Sequence, residues 1–557
     1  MITAPIRRLA VALGVLALLV TAAMSLACET ATKPASGDLS TDQTLRIAIS
    51  GEPESLDPAV VSFGAAAGIE RSLFATLLRF DPVTGQVVAY AAEQVPTVEN
   101  QGVSSDGLNY TFKIKKDAKW EDGTPLTASD FEYAIKRILD PRVASYYGQT
   151  YYAGLIAGSD ALAAAAKADP AVIEQLKQAV EVNAIDAHTL QIRLARPSAT
   201  FNMLMSLWPS AAVRQDVVGA DVTSSAWAEP GKLVASGSFR LVSWEHGSRV
   251  VLERNPQAWD KATKPTLQRI DLVIIDSAAT AIAAYQTGQV DVAAVPASSL
   301  AAFSGSDELH RVPVSATLAV VFNNSVPQFD SVAERKAFCQ AIDRDTLVKQ
   351  IGRGLGQPST SWLPAGLDPW FDSQRGASLR LNDAARTLLG SDNYGAAKLI
   401  FANIDPESVR AQFLQGQWSQ DLGVSIELSP LDPRAFGRAF GTGQYDMALV
   451  GFSEDYHHPE NWLLQWMSDN PMNVASYNDP AFDSAIKAAL RETNATKAVQ
   501  LWQQADATLI DKDVAICPLM TQESAWVVKP YVDSLVLSGA DGLAGDSFWW
   551  KTGILKH

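Results

Sequence analysis

The stretch KWEDGTPLTASDFEYAIKRILDP, from Lys119 to Pro141, reads as the end of a strand, a turn and a capped helix. NYTFKIKKDAKW, which runs into it, alternates apolar and polar residues, the period of a half-buried strand. EDGTPL carries Asp-Gly and Pro and reads as a turn. Thr127 or Ser129 is placed to cap a helix through DFEYAIKRILD, whose apolar residues recur at helical spacing. Strand, turn and amphipathic helix in that order are α/β material.

The same theme spreads outward. Upstream, TLRIAIS alternates as a strand, GEPESLDPA is a turn-rich loop, and GIERSLFATLLRFD has helical spacing. Downstream, ADPAVIEQLKQAVE reads as a helix and HTLQIRLA as a strand. GSFRLVSWEHGSRVVLERN reads as a hairpin around His246-Gly247. RIDLVIID, AATAIAAYQTGQ and VDVAAV form a short β-α-β unit, which implies parallel strands under a covering helix. TLAVVFNN with SVAERKAFCQAIDRDTLVKQI repeats strand then helix. SVRAQFLQGQWSQDLG with VSIELSPL gives helix then strand. Two helices over DPAFDSAIKAALRETNATKAVQLWQQADATLIDK precede the strand VAICPLM. GRGLGQP has its glycines in the wrong register for a dinucleotide loop and reads as a helix C-cap and turn. No repeat of solenoid period recurs.

The chain has 557 residues, 47% hydrophobic and 19% charged, enough for about three compact units. A formal charge of −16 argues against nucleic acid, which needs a basic surface. No G-x-S-x-G elbow, H-E-x-x-H helix or phosphate-binding P-loop occurs, so the chain reads as a non-enzyme with no cofactor. The N-terminus, MITAPIRRLAVALGVLALLVTAAMSLAC, has the basic, apolar and small-residue order of an export signal. A single membrane-spanning anchor is the alternative reading, since Leu9 to Ala27 is almost long enough to cross a bilayer. SLAC resembles the lipobox of bacterial lipoproteins, which implies a lipid on Cys28. Residues 29–43 are polar and linker-like. Cys339 and Cys517 sit in apolar contexts without metal spacing; unpaired buried thiols are the expectation, with one disulfide as the alternative.

GFSEDYHHPENW, Gly451 to Trp462, concentrates chemistry: three carboxylates and two of the chain's six histidines. A divalent-metal site using Glu454, Asp455, His457 and His458, a catalytic acid/base pair, an anchor for a cationic ligand group and a solvated loop all remain open on residue types alone.

The Lys119–Pro141 stretch resembles the signature of the peptide-type extracellular solute-binding proteins, the receptor subunits of ATP-driven (ABC) importers. GEPESLDPA, GSFRLVSWEHGSRVVLERNPQAWD (Gly237 to Asp260), RIDLVII…YQTGQVDV, SYNDPAFDSAI and the final ILKH match further segments of that family in order. The resemblance covers the chain from about Thr44 onward. It implies a two-lobed, hinge-linked α/β fold of the periplasmic-binding-protein type II, with a peripheral domain inserted in the first lobe. The expected division is a signal over 1–28, a linker over 29–43, lobe 1 over 44–74, 214–312 and 522–557, the insert over 75–213, and lobe 2 over 313–521. It implies a monomeric receptor, exported to the periplasm or lipid-anchored to the outer face of the cell membrane. The receptor would bind short peptides and partner ABC permease and ATPase subunits. A metal chelate or an oligosaccharide is the alternative ligand.

In oligopeptide-binding members, an aspartate in a segment of the type A-D-Y-N-E-P pairs with the peptide's α-ammonium. E-D-Y-H-H-P puts Asp455 at that place, and a cation taken into a dry cleft needs such a partner. Tyr147, in ASYYGQTYY, falls where the family has a tyrosine contacting the bound main chain, and Phe452 where it has an aromatic lining the cleft. Positions that clamp the peptide carboxylate in some members hold Glu407, Phe440 and Leu449 here. None is basic, which leaves Arg434 or Arg438 as candidate substitutes.

Overall fold

β1 (Thr44–Ile49) lies between two strands that run parallel to it: β9 (Arg269–Ile274) on one side and β10 (Val292–Ala294) on the other. The helix Ala278–Gln286 makes the crossover between β9 and β10, with the Ser277 hydroxyl accepting from the Thr280 amide at 3.3 Å as its N-cap. β7 (Phe239–Glu245) and β8 (Arg249–Arg254) form the hairpin that continues the sheet beyond β9. These assignments are made in a computed structural model that describes residues 37–61, 64–81, 85–390, 397–404, 406–470, 472–492, 494–537 and 548–557. The expected signal and Cys28 lie outside the described residues.

Two long strands carry the sheet into the second half of the molecule. β11 (Leu309–Phe322) and β16 (Ile516–Val528) pair antiparallel along most of their length. Their pairing breaks register between Pro313 and Thr317. Proline has no amide to donate, so the ladder is interrupted where Pro313 enters it. Beyond the break, β11 pairs with β15 (Met447–Ser453), and β13 (Lys398–Ala402) with β14 (Glu427–Leu431) completes the sheet. The order is β14–β13–β15–β11–β16–β10–β1–β9–β8–β7, with β12 (Gln357–Pro358) added on β16.

The break also separates two hydrophobic cores. One gathers Leu45, Ile47, Phe112, Phe131 and Leu272 with Val312 and Val528; the other gathers Leu318–Phe322, Phe338, Trp418, Trp462 and Ile516. Residues 75–213 contribute the hairpin β2 (Leu78–Asp81) with β3 (Gln86–Ala89) and the antiparallel sheet of β4 (Asn109–Lys113), β6 (Thr189–Arg193) and β5 (Val182–Asp186). Most of their buried apolar residues belong to the first core, while Tyr147 and Trp208 join Val61, Ala66 and Ala67 in a small separate cluster.

In Lys119–Pro141 the helix runs Ala128–Leu139 with Thr127 as N-cap. Asp130 reaches back and accepts from the Thr127 amide at 2.8 Å, the reciprocal half of a capping box. Phe131, Ile135, Ile138 and Leu139 are buried, at about 1.5–3 kcal/mol per large apolar side chain. The same helix holds a buried charge. Arg137 donates to both Asp57 oxygens, Nη1 at 2.7 Å and Nη2 at 2.6 Å, with both side chains almost fully sealed. Asp57 lies in the GEPESLDPA loop, so this bidentate pair ties two of the family-like segments together.

Three expectations change. GIERSLFATLLRFD is not one helix: it is helical over Gly64–Leu73 and becomes β2 from Leu78. The amides of Ser236 and Gly237 both donate to the Leu73 carbonyl, at 2.9 and 2.8 Å, and claim an end group of the helix. A Cβ at Gly237 would lie 2.3 Å from the Ser72 carbonyl oxygen, which is why a glycine stands there. SVAERKAFCQAIDRDTLVKQI is also broken: the helix Val332–Gln340 stops, and Asp343 caps a new turn by accepting from the Thr346 amide at 3.0 Å. Lastly, Cys339 and Cys517 form a disulfide, not the expected pair of free thiols; tertiary packing brings their Cα atoms to 5.7 Å across 178 residues.

Candidate ligand-binding site

β15 delivers the Gly451–Trp462 stretch. Only Met447 and Ala448 of β15 pair with β13; beyond them this edge of β15 pairs with no strand among the described residues. The Glu454 amide donates to the Ser315 carbonyl at 3.0 Å. By the alternation of antiparallel pairs, Phe452 then faces β11 and bonds Thr317, while Gly451 and Ser453 turn their N–H and C=O away from it. Both are exposed. An open strand edge therefore runs directly into the loop that carries Asp455.

His458 ends that loop. Its Nδ1 accepts from the Glu460 amide at 3.1 Å and so caps the helix Pro459–Leu463. The ring packs edge-on against Trp370 and Trp502. Burial, helped by the neighbouring His457, pushes its pKa down to about 3, so the ring is neutral, as an accepting cap must be. His457 behaves in the opposite way. Burial opposes its protonation, but the Glu454 carboxylate, 2.9 Å from Nδ1, more than offsets that and raises its pKa. The adjacent histidines thus serve different partners. Among the described residues no group of three or more His, Cys, Asp or Glu is placed to hold a metal ion.

Asp455 is held from the other half of the chain. Tyr147 donates to Oδ1 at 2.8 Å and Tyr151 to Oδ2 at 2.6 Å. Asn461 Oδ1 accepts from the Asp455 amide at 2.9 Å, and its Nδ2 donates to the Tyr151 hydroxyl at 2.8 Å. Burial and then the Asp455 charge raise the Tyr151 pKa well above the usual phenol value, and push Tyr146 up to about 12. Tyr151 is therefore a donor, not a phenolate. It sits in a widened helical turn, Gly148–Tyr152, which Tyr147 immediately precedes. A Cβ at Gly148 would fall 1.9 Å from the Ile138 carbonyl oxygen, so only glycine lets this turn pack on the Ala128–Leu139 helix.

Further contacts join the halves. Thr200 donates to Glu460 Oε2 at 2.8 Å in a buried setting. Tyr456, next to Asp455, is buried within the first core and meets the Tyr151 ring at 5.6 Å.

Beside Asp455 lies a cavity of about 390 Å³. Arg71, Phe74, Arg79, Tyr90 and Leu207 line it from the first half of the chain, and Asp368, Glu454, Asp455 and His457 from the second. Tyr147 meets this site through its bond to Asp455. Phe452 does not line the cavity; its ring packs against Trp362 at 5.6 Å and Trp462 at 4.8 Å. None of the positions considered for a carboxylate clamp lines this cavity either. Glu407 bonds Arg410, Phe440 stacks on Tyr445, Leu449 is buried, and Arg434 and Arg438 stand on the helix Pro433–Gly441 away from the lining.

Sequence reading missed Tyr151, Asn461, Arg71 and Arg79. Tyr151 carried a signal, four residues after Tyr147 on helical spacing; the arginines carried none, because nothing local says which way they face.

Comparison with known proteins gives one answer. The periplasmic oligopeptide-binding protein OppA of Escherichia coli strain K12 is 31% identical over 575 residues, spanning 99% of each chain. The oligopeptide-binding protein OppA of Bacillus subtilis strain 168 is 27% identical over 515 residues, 89% of this chain and 90% of that one. The solved structure of the E. coli murein tripeptide binding protein MppA superposes with a TM-score of 0.78 at 23% identity, covering 93% of this chain and all of that one; the two share the two-lobed α/β fold of type II periplasmic binding proteins. Residues 91–474 match the family model for bacterial extracellular solute-binding proteins, family 5 Middle, and the chain belongs to that family of solute-binding receptors.

Proposed function

We propose that this protein is a receptor that captures short peptides outside the cytoplasmic membrane and delivers them to an ATP-driven permease. The observation that carries the reading is Asp455: a carboxylate on a cavity wall, at the end of an open strand edge, oriented by two tyrosines. An extended peptide laid along Gly451–Ser453 gains main-chain hydrogen bonds that ignore its side chains, and Asp455 receives its α-ammonium. Residues 44–74, 214–312 and 522–557 act as one jaw and 313–521 as the other, hinged where β11 and β16 change register, with 75–213 as the peripheral unit. The relatives' names, oligopeptide-binding and murein tripeptide binding, agree with this ligand class.

Calorimetry with free and N-acetylated peptides, on wild type and Asp455→Ala, tests the reading. Stranding one charge of a buried pair costs ~3–5 kcal/mol, about two to three and a half decades of affinity. Acetylation weakens wild-type binding strongly and adds little in the variant, because both changes delete one interaction. Equal binding of acetylated and free peptide by the wild type overturns the Asp455 assignment.

The protein carries out no catalysis: peptide is recovered intact after long incubation. It acts as a monomer tethered by a lipid on Cys28, with the part of the 29–43 linker before Asp38 as the leash, since Leu39, Ser40 and Gln43 are bonded to Ile554 and Leu555. Cys28→Ala moves it to the soluble fraction; retention of the variant in membranes with its signal uncleaved points to a spanning anchor instead.

A further inference from the structure

Arg71, Arg79 and Glu454, on the wall of the cavity beside Asp455, already have partners within the protein. The Arg71 guanidinium lies 5.3 Å from the Trp208 ring centroid. Arg79 lies over the Tyr90 ring at 5.5 Å, with Nη1 4.0 Å from an Asp260 oxygen. Glu454 is 2.9 Å from His457 Nδ1. None of the three asks a ligand for a counter-charge. The rest of the wall is mainly apolar: Phe74, Phe80, Val87, Met203 and Leu207 from the first half of the chain, and Trp370 from the second. Phe80 and Val87 stand directly opposite each other across β2 and β3, so their side chains share one face of that hairpin. Phe80, Val87, Met203 and Trp370 are only half-buried. Apolar surface that the protein itself leaves open therefore collects around one cavity, and covering it is favourable.

The place of this surface says which part of a peptide covers it. Asp455 lies on the same wall, whereas Gly451 and Ser453, at the open edge of β15, do not line the cavity. A main chain laid along that edge leaves the cavity, and only its amino end stays there. The α-ammonium and the first side chain branch from one carbon, so an ammonium at Asp455 starts that side chain at the cavity. A methyl group leaves most of about 390 Å³ to water. A lysine or glutamate side chain has to shed its hydration against apolar walls. A large apolar side chain fills the space and pairs with what lines it. We propose that this cavity is a selective subsite for the ligand's first side chain, and that the preferred ligands are peptides beginning with a large apolar or aromatic residue. Phe80, Val87, Met203 and Trp370 determine the preference. The proposal rests on the peptide-receptor reading above, with the ammonium at Asp455.

The test is titration calorimetry with tripeptides of the form Xaa-Ala-Ala, where Xaa is phenylalanine, leucine, alanine, lysine or glutamate, together with Ala-Phe-Ala and the N-acetyl derivative of the tightest binder. The proteins are wild type and Phe80→Ala. Burial of the large apolar side chain makes the phenylalanine and leucine peptides bind wild type about ten- to a hundredfold more tightly than trialanine. In Phe80→Ala the ratio of phenylalanine to alanine affinity falls severalfold, a change that general damage to the fold does not produce. If the five peptides bind wild type alike while N-acetylation still weakens binding, the subsite is wrong and the receptor reading stands. Tightest binding of the lysine or glutamate peptide overturns the apolar preference. Ala-Phe-Ala binding as tightly as Phe-Ala-Ala overturns the assignment to the first residue. If no peptide binds, the receptor reading fails and takes the subsite with it. The wild-type series decides the subsite even if the variant does not fold.

Discussion

Tyr151 donates its hydroxyl to Asp455 Oδ2 at 2.6 Å, although 304 positions separate them in the chain. With Tyr147 on the other oxygen, the peripheral segment orients the acidic group of the second half. The two halves of the chain therefore meet on this one carboxylate.

Tyr151→Phe removes that donor and also the acceptor for Asn461. A hydrogen bond to a charged group contributes about 1.5–3 kcal/mol, so the variant loses stability of that order. Chemical denaturation reads it as a lower midpoint. Tyr147→Phe behaves similarly, and the double variant loses less than the sum, because both bonds serve one carboxylate.

His458 makes the second core acid-sensitive. Its folded pKa, about 3, lies below the ordinary histidine value, so the unfolded chain binds the proton first. Stability falls as pH drops from the ordinary histidine pKa toward 3, at up to about 1.4 kcal/mol per pH unit. His458→Asn keeps a capping side chain without the titration. Its melting temperature loses less than wild type between pH 6.5 and 4; parallel curves for the two proteins exclude His458 as the source.

Glu70 has the opposite sign. It is fully buried on the helix Gly64–Leu73, and neither oxygen has a hydrogen-bond partner among the described residues. Burial and then the Asp57 charge raise its pKa well above the usual carboxylate value. The folded state holds a proton that the unfolded chain releases, so stability declines as pH rises above the ordinary glutamate range. Glu70→Gln removes this slope and gains stability at neutral pH, as thermal unfolding across pH 5–8 measures.

Gly237→Ala pushes a methyl group against the Ser72 carbonyl, where backbone cannot yield cheaply. Overpacking of this kind costs ~1–3 kcal/mol, and the upper end is expected here. An unchanged melting temperature shows that the 236–237 segment can shift off the Gly64–Leu73 helix.

Local chemistry made much of this protein legible in its sequence. Alternation marked β1, β9 and the β7–β8 hairpin, and Thr127, one of two cap candidates, marked the start of the Ala128–Leu139 helix, because strand period and capping act within a few residues. Asp455 and Tyr147 stood out one at a time, by resemblance; their hydrogen bond was not legible. Three-dimensional structure alone decided that Ser236 and Gly237 end a helix at Leu73, that Cys339 meets Cys517, and that Arg71 and Arg79 face the same cavity as Asp455. Each joins residues far apart in the chain, and its energy depends on burial and approach distance. Those quantities arise only once β11 and β16 have set the two cores side by side.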